Sequence, residues 1–553
     1  MIKKISQPLL IFLFLLIISI PVILPYFHNG YFPTHDGEWA VVRVGDMFRS
    51  LRDHQFPVRF SGNLNFGYGY PLFNFAYPAP YYIATVFHFL KFGFVDSIKL
   101  LFSFSVIFSA FAMYLASKEM WRSKVAAMIS AIFYIYLPYR IVDLYARGSI
   151  GESLSFVLFP LIIFFVSKVL DNSRERRSLC FGAICYALLI LTHNIMAVLF
   201  TPLLFIFIIA KMYLTKKDKG YGTILLFIVF SYLLSAFFWI PALAEKNNIL
   251  LSQIPIADRN IYFVNLDQLL VPKWGYGLPD NADGFSYQIG IPHVIVLILA
   301  LFLLVYVLFT KRKMYRDFSL QIAAIFSAVA LLLILLMFSF SSVIWQIMPL
   351  LKEINYPWTL LAPIGFLLSL LAGFLWLQSS LMKYSLLILS ALTIILVVPY
   401  AKPQYYFDKG DGYYLTNDAT TTSSQELMPL WVKKYPIERT DKKVEIMQGK
   451  GSINNSLFAS NRGNFSLDLE SKSTIRVNTI YYPGWKVTVD DMPVAISYKN
   501  INGVMEFPVQ SGKHNVKLQF QETKLRLFSD LLSLIGFMSL LLFLLVPRKG
   551  VKK

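Results

Sequence analysis

Charge is scarce in this 553-residue sequence: Asp, Glu, Lys and Arg together make up 15% of it, against 56% apolar residues. That balance excludes a soluble globular protein of ordinary composition, in which about a quarter of the residues are charged. Cysteine is nearly absent. Cys180 and Cys185 are the only two; both sit inside an apolar run, at a spacing that suits neither a metal site nor one face of a helix, so no disulfide framework is implied. There is no internal repeat of solenoid period and no long low-complexity linker. Acid is scarcer than base, 32 residues against 51, for a formal charge of +19. The Lys and Arg come in short clusters between apolar runs, not on one soluble basic face, so membrane topology accounts for them and no nucleic-acid partner is implied.

What is present is a polytopic membrane protein. Residues 1–26 open Met-Ile-Lys-Lys and continue as a run of membrane length without a small-x-small cleavage signal, which reads as an uncleaved first span. The stretch 78–90 opens Pro78-Ala79-Pro80 and is short for a span of about 20 residues, so it is predicted to be interfacial or re-entrant. About twelve spans are then predicted: 8–26, 97–117, 122–138, 154–170, 179–193, 195–214, 222–243, 292–310, 318–338, 357–378, 384–400 and 525–546. With these, Lys3/Lys4, Lys118/Arg122/Lys124, Arg174/Arg176/Arg177, Lys216/Lys217/Lys219, Lys311/Arg312/Lys313/Arg316, Lys383 and the tail Arg548/Lys549/Lys552/Lys553 fall on one side, as the positive-inside rule requires. Both termini are therefore expected in the cytoplasm, and the connections 27–96, 244–291 and 401–524 outside.

The chain divides into a membrane domain over 1–400, an outer domain over 401–524, and a final span with a basic tail over 525–553. From about residue 440 the outer segment turns polar and alternating, in runs such as Ser473–Tyr482, Trp485–Val489, Val504–Val509 and His514–Phe520. Pro483-Gly484, Asp490-Asp491, Asn502-Gly503 and Ser511-Gly512 punctuate them, so about seven or eight strands should make a small β-sandwich.

Polar groups gather on the outer side. His35-Asp36-Gly37-Glu38-Trp39 follows the first span directly, and carboxylates beside a bilayer are candidates for function. An alternative stays open: Pro33 and the amphipathic run Trp39–Arg52 also describe an interfacial helix that Asp36 merely caps. Arg147 and Glu152, His193, Glu245-Lys246 and His293 fall at the same level. Each has a plain alternative: Glu152 as a helix cap, His193 as a partner of a neighbouring helix, Glu245 paired with Lys246. Their convergence on one leaflet predicts a shared cavity around Asp36, Glu152, His193 and Glu245. The tract Phe60–Tyr82 is aromatic and glycine-rich; most of it suits an interfacial belt, with Tyr68 and Tyr70 as candidates for stacking on a ligand.

Thr34-His35-Asp36-Gly37-Glu38-Trp39, Arg147-Gly148-Ser149-Ile150-Gly151-Glu152, Leu191-Thr192-His193-Asn194, Phe238-Trp239-Ile240-Pro241-Ala242-Leu243-Ala244-Glu245 and Tyr481-Tyr482-Pro483-Gly484-Trp485 together carry a resemblance over nearly the whole chain. It resembles the GT-C superfamily of integral-membrane glycosyltransferases, and more closely the bacterial YfhO-like and "6-pyruvoyl-tetrahydropterin synthase-related" membrane proteins. Nothing in the residues points to pterin chemistry. The resemblance implies a prokaryotic plasma-membrane enzyme that moves a sugar from a polyprenyl-phosphate donor to a cell-envelope glycan or polymer, among membrane lipid. In it Asp36 acts as base or metal ligand; participation of Glu38, and of a divalent cation, Mg2+ or Mn2+, stays open.

Such chemistry needs a base at the acceptor hydroxyl and fixed positive charge at the departing phosphate. Asp36 is the expected base, and Arg147, with Arg59, Arg259 and Lys246 behind it, the expected phosphate holder. His35 and His293 are further candidates for substrate contact. The rivals are a scaffold of an envelope-assembly complex, for which Asp36 would be dispensable, and a transporter or flippase of lipid-linked saccharides. Transporters carry midplane polar groups and matching halves, neither of which the sequence has.

Overall fold

The computed structural model describes residues 7–215, 220–277, 284–310 and 317–545. The expected basic positions Lys3, Lys4, Lys216, Lys217, Lys219, Lys311, Arg312, Lys313, Arg316, Arg548, Lys549, Lys552 and Lys553 lie outside the described residues.

Nine helices among the described residues are long and apolar enough to cross a membrane. Two further candidates are bent pairs: Lys124–Ile135 with Pro138–Arg147, at 46°, and Tyr221–Leu234 with Ala236–Ala244, at 70°. The expected spans 122–138 and 222–243 are thus broken, not straight. Proline is part of the reason, since it lacks an N–H and its ring crowds the preceding turn. The remaining expected span is Arg176–Thr192, a 17-residue helix. It runs back along Ile150–Asp171, because a Cβ on Gly151 would strike the Thr192 carbonyl while Lys168 meets Glu175 at the other end. Segment 78–90 contains only the 11-residue helix Ala79–Phe89, about 16 Å long at 1.5 Å per residue and so about half a bilayer core.

Prolines inside helices leave carbonyls without their amide partners, and side chains from elsewhere take them. Pro160 frees Phe156 O, which accepts from the Tyr134 hydroxyl at 2.9 Å. Pro241 frees Phe237 O, which accepts from Arg59 Nη1 at 2.9 Å. The helix Leu361–Leu375 is buried all round at the centre of the bundle, which suits a sequence apolar on every face.

Helix Gly37–Arg52 is not an interfacial helix with one face in lipid. Ala40, Val41, Val44, Met47 and Ser50 are all buried, and Asp46 inside it is held by Ser61 Oγ at 2.6 Å and Asn63 Nδ2 at 3.1 Å.

Eight strands, β1 (Val444–Gln448), β2 (Gly451–Ala459), β3 (Arg462–Leu469), β4 (Ser473–Ile480), β5 (Trp485–Val489), β6 (Met492–Val494), β7 (Val504–Val509) and β8 (Gly512–Phe520), form two antiparallel sheets, β1-β4-β7 and β2-β3-β8-β5-β6. Alternation turns Ile475, Val477, Phe507, Phe465, Leu467, Val516 and Leu518 into a common core. Phe60, Tyr68 and Phe75 of the aromatic tract 60–82 form a socket for this sandwich and not a membrane belt. Phe60 meets Trp485 and Phe520 at ring distances of 5.4 and 5.3 Å, and the Ile480 amide donates to the Tyr68 carbonyl at 2.8 Å.

Candidate functional site

His35 and Asp36 are fixed by their backbone. The His35 amide donates to Ala146 O at 3.0 Å and the Asp36 amide to Arg147 O at 2.8 Å. Asp143–Arg147 is a single wide turn of π type, a geometry that recurs at functional sites. Gly148 closes it at φ +64°, where a Cβ would run into Thr34 and the Gly37 amide, so both backbone freedom and bareness are needed there.

Thr34 removes the alternative in which Asp36 is only a cap. Its Oγ1 accepts from the Gly37 amide at 2.9 Å, while the Asp36 side chain makes no capping bond. Among the described residues the Asp36 carboxylate has no hydrogen bond and no ion pair. It faces a cavity of about 440 Å³ that also receives His35, Trp39, Arg43, Arg147, Trp358 and Glu426.

Two arginines supply positive charge to the cavity. Arg147 pairs with Glu152, donates to the Tyr139 hydroxyl oxygen at 3.0 Å and lies 4.6 Å over the Trp358 ring. Glu152, fully buried, also accepts from Tyr139 at 2.5 Å, so it stands one layer behind the cavity and orients Arg147. Arg43 donates through Nε to Thr421 Oγ1 at 2.9 Å, through Nη1 to Tyr81 Oη at 2.9 Å, and through Nη2 to Thr421 O. Burial, then the neighbouring Arg147, hold the His35 imidazole below its ordinary pKa, so it is neutral at pH 7. Its Nε2 lies 3.2 Å from Tyr276 O, the distance of a hydrogen bond in which the N–H donates.

Several expected residues serve elsewhere. Glu38 is off the cavity, where burial raises its pKa. Arg59, 2% exposed, is consumed by Glu522 at 2.8 Å, Asp530 at 2.6 Å and Phe237 O. Glu245 accepts from Arg526 at 3.0 and 2.7 Å, Asn74 at 2.9 Å and Tyr482 at 3.0 Å, so it locks the last span and the sandwich to the first loop. Lys246 pairs with Glu353, not Glu245. Arg259 donates to Ile354 O at 2.7 Å and Lys352 O at 2.7 Å. His193 accepts the Met196 amide at 3.2 Å and stacks on Tyr77, and His293 sits 3.0 Å from Phe133 O in the core. Tyr68 bonds the sandwich, while buried Tyr70 braces Thr421 through its hydroxyl at 3.1 Å. The predicted ring of Asp36, Glu152, His193 and Glu245 therefore reduces to Asp36, with Glu152 behind Arg147.

Arg43 escaped the sequence reading although a signal was there: Asp36, Trp39, Ala40 and Arg43 are spaced by three, four and seven, one helical face. Thr421, Thr422, Ser423 and Glu426 come from a segment without periodicity. A larger recess of about 630 Å³ opens beside His28, Lys99 and Asp411. Its Lys99 is tied to His28 O at 2.6 Å and its Asp411 caps the Phe94 and Val95 amides at 2.8 and 2.9 Å, so these two groups are already used. As for a divalent cation, no three His, Cys, Asp or Glu side chains gather at ligating range among the described residues. Arg43 and Arg147 also oppose a dication beside Asp36, so the donor set does not fit one.

A family model described as a 6-pyruvoyl-tetrahydropterin synthase related domain, membrane protein, matches residues 73–406. The chain belongs to this family. A second model, the bacterial membrane protein YfhO, matches residues 420–529 of this family member. The cavity draws on both matched regions and on the segment before them. An uncharacterized protein of Lactococcus lactis subsp. cremoris is 24% identical over 334 residues, 59% of this chain and 53% of the relative. The chain thus spans about half the length of that curated relative. Among solved structures, the arabinofuranosyltransferase AftD from Mycobacteria is similar at 14% identity and TM-score 0.48, over 74% of this chain and 28% of that one. The Archaeoglobus fulgidus oligosaccharyltransferase in its apo form is similar at 14% identity and TM-score 0.43, over 79% and 62%.

Proposed function

We propose that this membrane protein transfers a glycosyl group from a polyprenyl-phosphate-linked donor to a hydroxyl of a cell-envelope glycan or polymer, at the outer face of a prokaryotic plasma membrane. The observation that carries the reading is the Asp36 carboxylate: uncapped and unpaired among the described residues, it faces the same cavity as Arg43 and Arg147.

Asp36 takes the proton of the acceptor hydroxyl as that oxygen bonds to the anomeric carbon. The bond from the anomeric carbon to the phosphate oxygen breaks, and the lipid phosphate leaves with the electron pair. Arg43 and Arg147 face the anion that develops, and their planar forks suit phosphate oxygens. Glu152 and Tyr139 hold Arg147 in place before the substrate arrives, which removes reorganisation from the reaction step. Neutral His35 lends the cavity hydrogen bonding without adding charge. No step needs a metal. The sandwich is docked on the first loop, and its part in the reaction is to orient the polymeric acceptor.

The direct experiment incubates the purified full chain in lipid with radiolabelled polyprenyl-phosphate hexoses and envelope glycan. Label moving to the glycan supports the reading; label remaining on every lipid donor, with correctly folded protein, removes it.

A further inference from the structure

One wall of the cavity is a strap, residues 420–426, that is braced on both sides. At one end the Thr421 amide donates to Tyr70 Oη at 3.2 Å and Arg43 grips the Thr421 side chain and carbonyl. At the other the Leu251 amide donates to Glu426 O at 2.8 Å and the Leu250 amide to Met428 O at 3.0 Å. Gln425 between them adopts φ +59°, a conformation that costs a non-glycine residue energy.

The groups this strap presents are of one chemical kind. Thr422 lines the cavity at 8% exposure, and its Oγ1 has no hydrogen-bond partner among the described residues. Ser423 lines it as well. Glu426 receives the Ser424 amide at 3.1 Å and Oγ at 3.3 Å, both on Oε2, which leaves Oε1 without a partner among the described residues. Hydroxyls and a carboxylate on rigid backbone match sugar hydroxyls, which need acceptors for their protons and donors for their oxygens. Arg43, where it grips Thr421, and Arg147 line the same cavity, so cationic groups for a phosphate and hydroxyl and carboxylate groups for a sugar share one site. A buried hydroxyl without a partner calls for an explanation, and a sugar hydroxyl against Thr422 provides one.

We propose that the strap 420–426 is the sugar-recognising wall, in which Thr422 and Glu426 hydrogen-bond hydroxyls of a pyranose or similar polyol. The proposal rests on the glycosyl-transfer reading for its ligand, and it adds two substrate-contacting residues outside the first loop. The polyol is either the donor sugar or the terminal sugar of the acceptor.

Trp39 and Trp358 line the same cavity and report occupancy through fluorescence without any turnover. Full-length wild type, Thr422→Val and Glu426→Gln in nanodiscs are titrated with polyprenyl phosphate and with polyprenyl-phosphate hexose. Acceptor KM is measured alongside. Both variants keep the side-chain shape, and Gln retains an oxygen for Ser424. If the wall holds the donor sugar, wild type binds the hexose lipid more tightly than the bare lipid, and each variant loses about tenfold of that preference, the scale of a hydrogen bond to a charged or buried group. If it holds the acceptor sugar, donor binding stays unchanged and acceptor KM rises about tenfold in each variant. Variants that match wild type in both readouts overturn the wall. A wild type that prefers the hexose lipid yet transfers nothing sustains the wall and removes the transferase.

Discussion

Asp36 and Arg147 are joined through their backbones, the Asp36 amide donating to the Arg147 carbonyl at 2.8 Å, and both side chains enter one cavity. The carboxylate is spared from capping because Thr34 caps in its place, and the guanidinium is steadied by Glu152 behind it. Base and cation are therefore anchored to each other although they stand 111 positions apart in the sequence.

Arg147 and Arg259 should respond differently to substitution. Arg147→Lys keeps the charge opposite Glu152 but loses the planar fork, so donor binding should weaken about tenfold or more. Arg259→Gln should leave donor affinity unchanged, because that guanidinium is spent on the Ile354 and Lys352 carbonyls. Equal losses in a donor-lipid binding titration would contradict the assignment.

Glu245 should be a stability residue. Glu245→Ala leaves Arg526, whose side chain is fully buried, without its carboxylate, and losing one member of a buried pair costs about 3–5 kcal/mol. The thermal midpoint in detergent should fall clearly, while protein that remains folded binds donor lipid as before. A normal midpoint with lost donor binding would return Glu245 to the cavity.

Lys443 gives the fold a pH signature. Its Nζ donates to Gly67 O at 2.5 Å and Asn478 O at 2.9 Å, tying first loop to sandwich, and burial, then Arg439, pull its pKa down to about 7. An unfolded lysine keeps its proton to about 10.4. Between about 7 and 10 the unfolded chain therefore binds more protons at this site, and stability contributed there grows with pH. The midpoint of wild type relative to Lys443→Met should rise from pH 7 to pH 9; a flat difference would show that the site does not titrate in that window.

The sandwich was legible because a strand writes its burial into every second residue, and β5 and β7 occupy the very ranges 485–489 and 504–509 read from alternation and turn residues. The broken spans were legible only in part, since proline announces a missing amide but not which residue takes the freed carbonyl; Arg59 on Phe237 O could not be paired from sequence. Glu245 shows the same limit. A carboxylate at a helix end reads alike whether it faces a cavity or an arginine 281 positions away. The strap 420–426 has no period at all, because it is held by Arg43, Tyr70 and the 250–251 amides and not by a face of its own.

The central claim is that Asp36 takes the acceptor's proton, and the measurement that bears on it is sugar transfer by purified Asp36→Asn protein with saturating donor lipid and matched expression, beside wild type. Asparagine keeps the shape and cannot accept the proton at this position, so transfer should fall by about 100-fold or more while folding and donor binding persist. Glu38→Gln, off the cavity, should stay near wild type. Full activity in Asp36→Asn would contradict the account and favour a scaffold in which that carboxylate has no chemical duty.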